Sequence, residues 1–141
     1  MNFPADPRAA ALRYLERGFA PLPLPRGSKK PELEDWPNFR VTVDTLDGKF
    51  DGGNVGLLLG TASGGLTVVD LDSREAYAAA RFLLPPTSLR GGRGGRPLHW
   101  YYRCEADPAG KYKDPIHRGE ATQERPHGAL LLEVLADGHQ A

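Results

Sequence analysis

This 141-residue chain has one cysteine, one methionine and no formal net charge, with 18 Lys plus Arg against 18 Asp plus Glu. Each scarcity excludes something. Cys104 alone cannot form an intramolecular disulfide, and a reducing compartment is expected. No basic leader with an apolar stretch opens the chain. No apolar run approaches the ~18–20 residues of a membrane helix, so a cytoplasmic protein without a membrane partner is expected. Charge neutrality removes any global attraction to nucleic acid, leaving only local patches to supply it. Two such patches exist, at 26–30 (Arg-Gly-Ser-Lys-Lys) and at 90–96 (Arg-Gly-Gly-Arg-Gly-Gly-Arg). The length suits one domain over residues 1–141 with a core of useful size.

What the chain has in quantity is turn formers, 17 glycines and 13 prolines, so many short elements are expected. Asp6 and Pro7 open a helix whose apolar stripe is Ala11, Leu12 and Leu15, and Gly18 stops it. Phe19 to Pro25 carries alternate prolines, so it is either an edge strand or a polyproline-like segment. A polar loop from Gly27 to Asp35 follows, then Trp36 to Phe39 as a packing anchor and Thr42 to Phe50 as a helix candidate. Asn54 to Gly60 reads as a buried strand and Thr61 to Gly65 as a turn. After the strand at Leu66 comes a helix capped by Ser73 and running from Arg74 to Leu84. Thr87 to Arg90 reads as a short strand. Leu98 to Arg103 reads as another, with Leu98, Trp100 and Tyr102 on one face and His99, Tyr101 and Arg103 on the other. Residues 104–128 lack periodicity and read as an excursion loop; Ala129 to Leu135 is the last strand. A helix followed by strands mixed with helices implies α+β, a mixed β-sheet with flanking helices, or else mixed α/β.

The most informative stretch is Leu66-Thr67-Val68-Val69-Asp70-Leu71-Asp72-Ser73. It is an apolar strand ending in two carboxylates at i and i+2, which project from one face. Adjacent carboxylates repel unless a cation joins them, and hard oxygen ligands select Mg²⁺ or Mn²⁺. The plainer alternative is a strand leaving into solvent through acidic residues.

Glu133 interrupts the apolar run of the last strand. A buried carboxylate needs a cation or donors, so Glu133 either joins the Asp70/Asp72 pair or faces water. The run Arg90-Gly91-Gly92-Arg93-Gly94-Gly95-Arg96 offers backbone N–H groups and guanidinium forks to a polyphosphate, and His99 follows at once. It is not a P-loop, because no Gly-Lys-Ser/Thr closes it.

The order of these motifs resembles the bifunctional primase–polymerase (prim-pol) domain of the archaeo-eukaryotic primase superfamily. It runs Gly27-Ser28-Lys29-Lys30-Pro31, Asn54-Val55-Gly56-Leu57, Val69-Asp70-Leu71-Asp72-Ser73, Gly91 to Tyr101, and Leu132-Glu133-Val134. The resemblance covers about Ala9 to Gln140. It implies a template-directed nucleotidyltransferase, a DNA primase/DNA polymerase of plasmid, phage or integrated-element replication. It would use nucleoside triphosphates, a single-stranded DNA template and two divalent metal ions, Mg²⁺ or Mn²⁺. Asp70, Asp72 and Glu133 would be the metal ligands, and with His99 the catalytic residues. His99, Arg93, Gly94 and Arg96 would bind the nucleotide. Lys29 or Lys30 would contact phosphate or template. A replicative helicase is the partner such domains commonly work beside.

Two departures accompany the resemblance. Family members continue past Asp137-Gly138-His139-Gln140 into a further strand and turn, so this sequence reads as a core truncated at its C-terminus. An inactive remnant that binds nucleotide or DNA is therefore the alternative function. Relatives with a zinc insertion place it in the interval holding Cys104, His117 and His127, but the irregular spacing does not support zinc. A haloacid dehalogenase-type phosphatase also begins from a strand ending Asp-x-Asp. Here Ser73-Arg74 follows the motif, and none of the later strands predicted from the sequence ends in lysine.

Overall fold

In the computed structural model, which describes residues 6–92, 96–105, 109–114, 121–123 and 126–141, the first element is helix α1 (Pro7–Glu16). Asp6 caps it, its carboxylate accepting from the Arg8 and Ala9 N–H groups, and Pro7 occupies the first turn, where a missing N–H costs nothing. Strand β1 (Ala20–Leu24) follows and pairs antiparallel with β2 (Asn54–Leu58). Prolines 21 and 23 explain why β1 is paired on one side only: their nitrogens cannot donate to a second neighbour. The other edge of β2 receives the chain's last residues. Leu57 N–H donates to the Ala141 carbonyl at 2.6 Å, and Leu59 N–H to that of His139 at 3.0 Å.

The Thr42–Phe50 segment is not an α-helix, which corrects the sequence expectation. It holds a single 3₁₀ turn, Val43–Thr45, in which the Thr42 and Thr45 side chains cap each other. Gly48, at φ 71°, breaks the backbone before a second turn can form. Leu46 and Phe50 still reach the core, where they pack with Ala11. Each such burial contributes about 2 kcal/mol.

The larger sheet has five strands in the order β4-β5-β3-β7-β6, every pair antiparallel. These are β3 (Leu66–Leu71), β4 (Arg90–Gly91), β5 (His99–Arg103), β6 (Gly110–Lys113) and β7 (Leu130–Leu135). β6 departs from the reading of 104–128 as an excursion loop. Its Gly-Lys-Tyr-Lys sequence is too short and polar to announce a strand, and it forms because β7 offers an edge. Helix α2 (Arg74–Leu83) begins at Ser73, whose Oγ accepts from Ala76 N–H at 3.0 Å. It covers one sheet face, where Val69, Leu71, Trp100 and Ala80 form a buried cluster with Leu132 and Val134. Among the described residues, two α-helices with two antiparallel sheets make this an α+β protein, as the sequence implies.

The other face of the larger sheet has two halves. Val68, Tyr101 and Leu135 pack against Phe19, Leu57 and Ala141 from the smaller-sheet side. Two residues further along each strand stand Asp70, His99 and Glu133, beyond that apolar cover. The site is built on this uncovered half.

Candidate active site

Strand register assembles the site. Gly91 lies opposite His99, His99 opposite Asp70, Asp70 opposite Glu133 and Glu133 opposite Lys111. Directly opposed residues share a face, so one row crosses all five strands. Asp72 follows the end of β3 but stays in the ladder, its N–H donating to the Leu131 carbonyl at 3.0 Å. Asp70 and Asp72 both line a cleft of about 950 Å³ that also receives His99, Arg96 and Lys29.

The two aspartates differ in environment. Nε2 of His99 stands 3.2 Å from Oδ1 of Asp70, whose side chain keeps 25% of its exposure. The Asp72 side chain retains only 7%, and its Oδ1 lies 3.5 Å from Nδ1 of His127. Its other oxygen, Oδ2, is buried with no hydrogen-bond partner among the described residues. Burial, and then the charges of Asp70 and Glu133, push the Asp72 carboxyl up to about 6, against the pull of His127 and His99. An orphaned carboxylate oxygen beside a second carboxylate is what a cation would satisfy, so the donors fit a hard divalent ion.

Glu133 points to the same face, but its Oε1 is held by Lys111 Nζ at 2.8 Å. Among the described residues, no three His, Cys, Asp or Glu side chains converge into a closed ligand set. The carboxylates share a face without being drawn together.

The loop before His99 is shaped by packing as well as by composition. Gly92 has φ 158°, and a Cβ there would lie 2.0 Å from the Arg96 carbonyl oxygen, so no other residue fits. Trp100 Nε1 donates to the Pro97 carbonyl at 2.9 Å, and the Arg90 guanidinium covers the Trp100 ring at 3.8 Å. Arg96 is thereby delivered to the cleft. Arg93 and Gly94 lie outside the described residues, as does His117.

The sequence profile of the Prim-Pol family, described as bifunctional DNA primase/polymerase, N-terminal, matches residues 11–141. The chain belongs to the Prim-Pol family. Comparison with curated proteins gave no match. Membership assigns this Prim-Pol domain, in general terms, to the primase/polymerase class of nucleotidyltransferases. Among the described residues, no helix is long and apolar enough to cross a membrane.

Several further residues line the Prim-Pol cleft. Arg74 and Tyr77 reach it from the first turns of α2, and Gln123 and His127 from the chain before β7. Arg74 was detectable, as the first residue after a capped helix start that follows two carboxylates. His127 was not, because only the pairing of β7 with β3 brings it to Asp72. Lys29 is in the cleft and Lys30 is not among its lining residues. Lys29 is held there by Gln140, whose Nε2 donates to its carbonyl at 2.7 Å. Cys104 lies beyond Arg103, which pairs with Leu66 at the opposite end of β3 from Asp72 and His127. Cys104 and His127 are therefore at opposite ends of β3.

Proposed function

We propose that this Prim-Pol domain extends a nucleic-acid strand on a single-stranded DNA template, using nucleoside triphosphates and Mg²⁺ or Mn²⁺. The observation that carries the reading is the buried Oδ2 of Asp72 beside Asp70, without a partner among the described residues, in a cleft lined by Arg96, Lys29 and Arg74. Asp70, Asp72 and Glu133 are the residues that would hold the metal. Once bound, it would stabilise charge on the attacking and leaving oxygens of an in-line phosphoryl displacement.

The chain's own groups supply orientation and charge. Arg96 presents a planar fork to phosphate oxygens, and Lys29 adds a compact cation to the same cleft. His99 stands between the loop and Asp70, so it links the triphosphate subsite to the carboxylates. Trp100 keeps the loop base fixed from the far face of β5. Single-stranded DNA would approach along the open side of the cleft, and a replicative helicase acting beside the domain fits this role.

Extension of a labelled primer on a DNA template, with Mg²⁺ or Mn²⁺, tests the proposal. Incorporation should fall by at least about 10²-fold in Asp70→Ala and in Asp72→Ala while both variants still fold. Equal incorporation by wild type and both variants would refute it. One observation favours a second reading, nucleotide or DNA binding without polymerisation: Glu133 is already engaged by Lys111. Retained nucleotide binding with no incorporation under either metal would select that reading. The phosphatase alternative belongs to a family other than the one this chain matches.

A further inference from the structure

The row of opposed residues does not end at the carboxylates; its fifth member is a lysine. Lys111 sits on edge strand β6 directly across from Glu133, with Nζ 2.8 Å from Oε1. The lysine side chain keeps 66% of its exposure and the glutamate 19%. A lysine that merely blunts a sheet edge against aggregation needs no such partner. This one lies on the face that bears Asp70 and Asp72, and Glu133 above all, with Asp72 behind it, holds its ammonium in the charged form.

We propose that Lys111 is the chain's own competitor for the divalent ion, an ammonium that holds Glu133 until metal displaces it and so sets the metal affinity. The inference rests on the reading of Asp70, Asp72 and Glu133 as metal-holding residues. It follows from charge and exposure. A cation 2.8 Å from one carboxylate oxygen raises the cost of placing a second, doubly charged cation at the same group. An ion pair with so exposed a lysine is weak, so a dication can break it, and the lysine head can swing into water while its stem stays on β6. Lys111 therefore supplies positive charge to an acidic face when metal is scarce. It is a positioning residue for Glu133.

Mn²⁺ titration of the full chain, with free ion read by its paramagnetic resonance signal, provides the test. Lys111→Gln should bind Mn²⁺ about three- to tenfold more tightly than wild type, whereas Lys111→Arg, which keeps the charge, should stay within about twofold. In a Glu133→Gln background the gain from Lys111→Gln should vanish, because the pair is the cause. Unchanged or weaker binding in Lys111→Gln would overturn the proposal, as would an undiminished gain in the Glu133→Gln background. If wild type binds Mn²⁺ no better than Asp70→Ala and Asp72→Ala, the metal reading fails and this inference with it. Normal wild-type binding with no Lys111 effect removes this inference alone.

Discussion

Asp70 and Glu133 face each other across β3 and β7, and His99 faces Asp70 from the other side. Antiparallel pairing is what makes this possible with residues far apart in sequence. A one-residue slip of β7 would send Glu133 into the apolar layer beneath α2 and bring Leu132 or Val134 opposite Asp70. The apolar residues flanking Glu133 hold that register, because Leu132 and Val134 are packed into the cluster around Val69, Leu71 and Trp100.

Asp72 makes stability depend on pH in a definite direction. Its carboxyl, normally at 3.8, is pushed up to about 6 in the fold. The folded state thus keeps a proton that the unfolded chain releases between those values. The resulting stability is full below about pH 4 and lost as pH rises through about 6, a change of at most about 3 kcal/mol. Thermal melts in chelator should show Asp72→Asn gaining on wild type across that window. Parallel curves for the two proteins would contradict the burial argument. At pH 7, saturating Mn²⁺ should raise the wild-type melting temperature and leave Asp72→Asn almost unmoved.

Trp100 should control the glycine–arginine loop without touching substrate. It is 4% exposed, donates to Pro97 and carries Arg90 on its ring. Trp100→Phe keeps most of the apolar volume but loses the N–H donor and weakens the stacking. We expect a loss of about 1–2 kcal/mol in denaturant unfolding. We also expect a several-fold rise in KM for nucleotide, with kcat within about twofold. A kcat loss with unchanged KM would show that Trp100 acts on something other than the loop.

How much of this was legible in the sequence follows from where each signal resides. The β3 strand announces itself, because four residues, Leu66 to Val69, alternate between two buried layers before Asp-x-Asp. His99 and Trp100 reveal their opposite faces by simple alternation. Lys111 did not, since a four-residue edge strand has too little apolar content to fix its partner. The alternation of Gly-Lys-Tyr-Lys was the only local hint. His127 and Gln123 join the cleft through tertiary folding alone. The glycine of the loop was legible by type but not by reason: Gly92 is required by the close approach of the Arg96 carbonyl, besides any phosphate.

Ser63 should prove more important to stability than its turn position suggests. It is fully buried, and its Oγ accepts from Ala20 N–H at 2.8 Å while donating to the Leu58 carbonyl. It therefore fills a gap in the β1–β2 ladder where the strands diverge. Ser63→Ala leaves a buried N–H without a partner and should cost about 2–3 kcal/mol. Ser63→Thr adds a methyl group in a packed site and should not rescue it. A melting temperature for Ser63→Ala within a degree of wild type would show that water replaces the hydroxyl.

Gln140 should tune nucleotide binding from a distance. Its amide donates to the Lys29 carbonyl at 2.7 Å, tying residues that flank β2 to the loop whose lysine enters the cleft. The bond is at the surface, so Gln140→Ala should change stability by less than about 1 kcal/mol. Freed of that bond, the loop samples positions in which Lys29 no longer faces the cleft. Nucleotide affinity should fall about two- to tenfold, the equivalent of one neutral hydrogen bond. The effect must pass through Lys29 if the argument holds. Lys29→Ala with Gln140→Ala should then bind nucleotide no more weakly than Lys29→Ala alone. Full additivity of the two losses, measured by isothermal titration, would instead mean that Gln140 acts on the cleft by a route independent of Lys29.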